Sequence, residues 1–97
     1  MRHEKPTITI DGAAFSDLEG FYDEIETKLV GASDWERTLD ALDELLDAPP
    51  PPLPSEIRLV WEHSALSRRQ LGDRGLGSFT DLIDRIAQHP NIELILS

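Results

Sequence analysis

The chain predicts an α/β domain: a three-stranded parallel sheet flanked by helices, in the order β-α-α-β-α-α-β. Three observations carry this. Short β-branched or apolar runs stand at residues 7–10, 56–61 and 92–96. Between them lie segments whose apolar residues recur every three or four positions, the helical period. Three of those segments open on a helix-capping signal, a Ser followed three residues later by an acid. Strands separated by helical crossovers pair in parallel through right-handed connections. Ninety-seven residues suffice for one core and not for two, so residues 1–97 read as a single domain.

Taken in order, residues 1–6 are charged and read as frayed. Residues 7–10 are β-branched throughout, and Asp11 and Gly12 follow as a turn signal. Strand-forming side chains on both faces predict a central strand covered on both sides. Ser16 and Glu19 predict a capping box, and Leu18, Phe21, Tyr22, Ile25 and Leu29 form the apolar stripe of the first helix, which Gly31 ends. Ser33 and Glu36 form a second box, opening a helix over residues 33–47. Residues 49–54 are proline except for Leu53 and cannot continue it, because each proline lacks an amide hydrogen and clashes one turn back. The run reads as a stiff polyproline II connector; its PxxP spacing also matches SH3-type ligands, though a rigid loop is the commoner use.

The second strand spans residues 56–61, and a short helix over 64–70 turns Ala65 and Leu66 inward. Residues 71–77 are glycine-rich, but without a GK[ST] sequence or a preceding strand they read as turn glycines, not a phosphate cradle. Arg68, Arg69 and Arg74 form the basic cluster and offset nearby acid. Ser78 and Asp81 form the third cap, Phe79, Leu82, Ile83 and Ile86 line the fourth helix, and Pro90 stops it. His89 is placed to act on that helix's dipole. Residues 92–96 form the last strand.

Nineteen acidic side chains against nine basic ones give a net charge of −10. So acidic a chain repels nucleic acid and anionic membrane and favours basic partners. Cysteine is absent, which excludes disulfides and thiolate chemistry and fits a reducing compartment. The first residues contain no apolar stretch of signal-peptide length and no run could span a bilayer, so a cytoplasmic location is expected.

The acid is concentrated in residues 33–47, SDWERTLDALDELLD, with six acids and one base. On a helical wheel Glu36, Asp40, Asp43, Glu44 and Asp47 share one arc, and Trp35, Leu39, Leu42, Leu45 and Leu46 the other. Glu36/Asp40, Asp40/Glu44 and Asp43/Asp47 are like-charge pairs four apart, each unfavourable by roughly 0.2–0.5 kcal/mol. Two readings stand: a solvated face of an acidic protein, or a surface complementary to a cationic site.

Catalytic chemistry finds little support. His63 and Ser64 are adjacent in sequence, an arrangement that does not usually let one side chain activate the other. No EF-hand spacing is present and carboxylates on a convex helix make a poor cage, so neither a metal nor a cofactor is expected. Paired carboxylates for glycoside chemistry need a cleft that a convex helix lacks. Binding remains, since guanidinium groups that hold phosphate accept carboxylates in the same bidentate geometry.

Residues 38–42, Thr-Leu-Asp-Ala-Leu, resemble the N-L-D-A-L segment of the barstar-type ribonuclease inhibitors. Trp35 falls near that family's aromatic pair, and the element order, Trp61 at the end of the second strand and the closing Ile-Glu-Leu-Ile-Leu-Ser are also similar. The resemblance spans Thr7 to Ser97. It implies the fold reached above and tight inhibition of a secreted microbial, guanyl-specific ribonuclease of the barnase type. The second helix and the loop before it would plug the enzyme's active site. Residue by residue, it places Asp40 at the segment's aspartate, Glu44 at the family's central aspartate in the phosphate pocket, and Asp84 at the last helix's partner-facing glutamate. A gap there would bring Asp81 to that place instead.

Departures are also visible. The family's Y-G-x-N is here Trp35, Glu36, Arg37 and Thr38. Asp34 stands for the first aromatic of the pair, Asp43 for a tryptophan, and Glu44 is one methylene longer than the family's aspartate. Trp35 remains open between core anchor and interface aromatic. The expected partner surface comprises Asp34, Trp35, Glu36, Asp40, Asp43, Glu44, Asp47 and Asp84 on a protein that is monomeric when free. The alternative is an acidic immunity or adaptor protein directed at a different basic partner.

Overall fold

The computed structural model describes residues 5–31, 35–49 and 53–97. Strands β1 (Thr7–Asp11), β2 (Ile57–Glu62) and β3 (Ile92–Leu96) form a parallel sheet in the order β1-β2-β3. Helices α1 (Leu18–Ile25, continued by a wider π turn over Glu26–Val30) and α2 (Leu39–Asp47) lie between β1 and β2 in sequence. Helices α3 (Ser64–Leu71) and α4 (Phe79–Ala87) lie between β2 and β3. The parallel sheet and the element order are those expected, and β2 begins and ends one residue late.

The expectation of a central, doubly covered β1 is corrected: β2 is central and β1 an edge. Ile10, Ile57, Leu59, Trp61 and Ile92, all on one face, are buried. The other row, with Thr7, Thr9, Arg58, Val60, Glu93 and Ile95, is exposed or half-exposed. Threonines at 7 and 9 thus reflect strand propensity, not burial. The β1 edge is nonetheless blunted. Lys28 Nζ donates to Thr9 O at 2.8 Å and Glu24 Oε2 accepts from Asp11 N at 2.9 Å, occupying backbone groups that another strand would pair with.

Two helix starts differ from expectation. Asp17, not Ser16, caps α1, its carboxylate accepting from Gly20 N at 2.8 Å. Gly31, at φ +73°, closes the π turn with Gly31 N donating to Glu26 O at 2.7 Å. Helix α2 starts at Leu39, not near Ser33, with Thr38 Oγ1 accepting from Ala41 N at 3.0 Å. Arg37 sits at φ +63°, a left-handed conformation that no residue inside a right-handed helix adopts. The proposed box residue Ser33, with Asp34, lies outside the described residues, as does Pro50–Pro52 of the expected polyproline connector. Helix α4 is capped as expected, Asp81 N donating to Ser78 Oγ at 3.2 Å.

Trp61 organises the core. Its ring stacks on Phe21 at 5.2 Å between centroids and meets Phe79 edge-on at 5.1 Å. Its indole N–H donates to Ser67 Oγ at 2.9 Å, and that hydroxyl donates to Gly12 O at 3.3 Å. This buried relay joins the turn after β1 to β2 and α3 and satisfies polar atoms that water cannot reach. Gly12 is required there, because a Cβ would fall 2.3 Å from Ser67 Oγ and 2.6 Å from Glu62 O.

Candidate partner-binding surface

Leu42, Leu45 and Leu46 pin α2 to the core, which leaves Asp40 and Glu44 exposed one turn apart. Neither forms an ion pair with another described residue. Residues 35–37 approach α2 without being helical, so Glu36 and Asp40 are not the helical neighbours expected. Instead Glu36 and Glu44 flank an open groove of about 330 Å³, with Trp35, Ala41 and Leu45 completing its lining. Trp35 is half-buried, edge-on to Tyr22 at 5.7 Å, and also lines the groove. It is anchor and surface at once.

The other two helical acids are engaged inside the protein. Asp43 Oδ2 accepts from Arg85 at 2.9 Å, and Asp43 Oδ1 lies 3.3 Å from His89 Nε2. Asp47 Oδ1 lies 2.7 Å from His89 Nδ1. His89 therefore does not serve the dipole of α4 as expected. It is buried with its ring between two carboxylates of α2, which clamps α2 to the segment just after α4. Asn91 Nδ2 completes the joint, donating to Leu46 O at 2.8 Å and Ser55 O at 2.7 Å, so an orphan carbonyl at the end of α2 is satisfied.

On α4, Asp84 is exposed and Asp81 half-buried. Asp81 accepts from Gly77 N at 2.9 Å and Arg85 Nε at 3.0 Å. Burial pushes its carboxyl upward, but the Gly77 amide and the Arg85 guanidinium outweigh it and hold it below the ordinary value. The bond to Asp81 in turn raises Arg85. Asp34 lies outside the described residues. The structure thus joins Trp35, Glu36 and Glu44 around one groove, with Asp40 a turn away, and sets Asp43 against α4 and Asp47 against His89 just beyond it. Sequence reasoning missed Ala41 and Leu45 as lining, and Arg85 and His89 as the partners that hold Asp43 and Asp47. The spacing of Asp81 and Arg85, four apart on a helix, was a readable signal for one of them.

Among the described residues no hydroxyl is hydrogen-bonded to a histidine. Ser64 Oγ donates to Ser97 O at 3.0 Å, while His63 Nδ1 meets Asp11 Oδ1 at 2.9 Å. Hydrogen bonds from the Ala13 amide and His63 lower the Asp11 carboxyl. Among the described residues no group of His, Asp and Glu side chains is placed to hold a metal ion, and no helix is long and apolar enough to cross a membrane.

An acidic surface thus borders a partly apolar groove on a small α/β scaffold. The chain belongs to the Barstar (barnase inhibitor) family, which it matches over residues 5–94. Members of that family are inhibitors, not enzymes, and this is a barnase-inhibitor-type protein. No individual curated protein matches the chain significantly.

Proposed function

We propose that the protein is a cytoplasmic inhibitor of a secreted, guanyl-specific microbial ribonuclease, and that carboxylates on and before α2 occupy the enzyme's phosphate-binding site. The observation that carries this is the pairing of Glu36 and Glu44 around a groove lined by Trp35, Ala41 and Leu45. Exposed carboxylates with no cation paired to them among the described residues keep their full attraction for a partner's guanidinium and ammonium groups. Asp40 and Asp84, both exposed, extend the acidic surface, and Asp34 precedes it in sequence. Asp43 already holds Arg85 of α4 and Asp47 the His89 ring just beyond it, so they contribute field at the margin more than direct contacts.

Calorimetric titration against a guanyl-specific microbial ribonuclease at two ionic strengths tests the reading. Stoichiometric inhibition is expected, with association slowed by salt. Glu44→Ala and Asp40→Ala should each weaken inhibition severely without lowering the thermal midpoint. Normal inhibition by both variants overturns the site. Capture of a different basic protein, with no affinity for such ribonucleases, would favour the immunity or adaptor alternative.

A further inference from the structure

The groove has one wall on α2 and the other on Trp35 and Glu36, within residues 35–38, which form neither helix nor strand. What holds that second wall is Arg37. Its guanidinium reaches across to α1. It donates through Nη2 to Glu19 O at 3.2 Å and to Asp23 Oδ1, and it lies 3.7 Å from Glu19 Oε1. Its Nη1 lies 3.8 Å from Glu26 Oε1. Glu19, Asp23 and Glu26 are four and three apart along one face of α1, where like charges repel unless a cation sits among them. Glu26 Oε2 is buried with no hydrogen-bond partner among the described residues, which ties the comfort of that carboxylate to the guanidinium beside it.

The backbone gives an independent argument. Arg37 lies at φ +63°, a conformation that glycine adopts freely and a long side chain adopts against its preference. A position that needed only the turn would be served better by glycine. The contacts of this side chain are what favour arginine.

We propose that Arg37 is a positioning residue for the binding surface. Its side chain latches residues 35–38 to α1, so that Trp35 and Glu36 stand in fixed register with Glu44. The latch is a property of the free protein; its consequence for affinity rests on the ribonuclease-inhibitor reading. A latched segment is already in the geometry that binds, whereas a released one is competent for only part of the time, and apparent affinity falls by that fraction.

The test compares wild type with Arg37→Gly, which keeps the turn and removes the latch, and with Arg37→Lys, which keeps charge without the planar fork. Amide hydrogen exchange is measured on the free proteins, and Kd is measured against a guanyl-specific microbial ribonuclease alongside Glu44→Ala. In Arg37→Gly, exchange should rise at the amides of residues 35–38 while core amides of β2 keep their protection, and Kd should rise by roughly three- to tenfold. Arg37→Lys should fall between. Unchanged exchange at residues 35–38 overturns the latch whatever binding shows, and so does an equal rise across the core. Raised exchange with an unchanged Kd, where Glu44→Ala still weakens binding, overturns its role in recognition. Absence of binding by wild type overturns the ribonuclease reading instead, and the exchange comparison still decides the latch.

Discussion

Asp43 and Glu44 are adjacent acids on one helix, and the structure requires them to respond oppositely to the same isosteric neutralisation. Asp43 receives Arg85 at 2.9 Å and lies 3.3 Å from His89. A hydrogen bond to a charged group contributes roughly 1.5–3 kcal/mol when buried. The Asp43 side chain is 36% exposed, so screening favours the bottom of that range. Relief of repulsion with Asp47 returns roughly 0.2–0.5 kcal/mol, leaving a net loss of about 1 kcal/mol for Asp43→Asn. In a domain of this size that lowers the thermal midpoint by about 4–8 °C. Glu44→Gln forfeits no bond among the described residues. It removes repulsion with Asp40, roughly 0.2–0.5 kcal/mol, and an unfavourable charge near the negative end of α2, roughly 0.3 kcal/mol at an exposed site. Its midpoint should rise by about 2–5 °C. Scanning calorimetry at neutral pH and low salt reads both shifts. Titration with the ribonuclease should give the reverse ranking, Glu44→Gln binding far more weakly and Asp43→Asn close to wild type. Midpoints moving in the same direction would refute the division of this helix into clamping and displayed acids.

Acid sensitivity follows from Asp81, whose carboxyl is held below its ordinary value of 3.8. A depressed native value means stability that is present above that figure and is lost as the pH falls through the lower native one. Asp11 and Glu93 are lowered too, Glu93 by hydrogen bonds from Arg58 and Lys5, and act in the same direction. The thermal midpoint should therefore fall as pH drops below about 4, and Asp81→Asn should flatten that slope while lowering the midpoint at neutrality. Gly12→Ala should destabilise by about 1–3 kcal/mol, because the added methyl meets backbone oxygens of Glu62 and His63 that cannot swing aside; a midpoint within 2 °C of wild type, measured by thermal unfolding with roughly that resolution, would contradict it.

The legible parts of this protein were those set by local chemistry. Alternation in Ile57–Glu62 and the helical stripe of Phe79–Ala87 can each be satisfied only by strand and helix, and the crossover rule then makes the sheet parallel. The cap at Ser78 was legible for the same reason, since it needs only its own next turn. The cap of α2 was not. Ser33 with Glu36 and Thr38 with its own following turn are both acceptable starts locally. The choice of Thr38 goes with Arg37 in a left-handed conformation, held by carboxylates eleven to eighteen residues away on α1.

The same boundary runs through the functional surface. An amphipathic, acid-rich second helix is a property of the order of residues, because periodicity alone decides which side chains share a face. Which acids on that face are displayed is not. Asp43 and Asp47 are set apart from Asp40 and Glu44 by meeting Arg85 and His89, residues more than forty positions away that chain folding carries to the side of α2. Sequence alone therefore determined the fold class, the elements and the sign of the charge, which depend on near neighbours. The tertiary structure decided which strand is central, where α2 begins and which carboxylates of α2 remain unpaired among the described residues, because each of these depends on what a distant segment brings into contact.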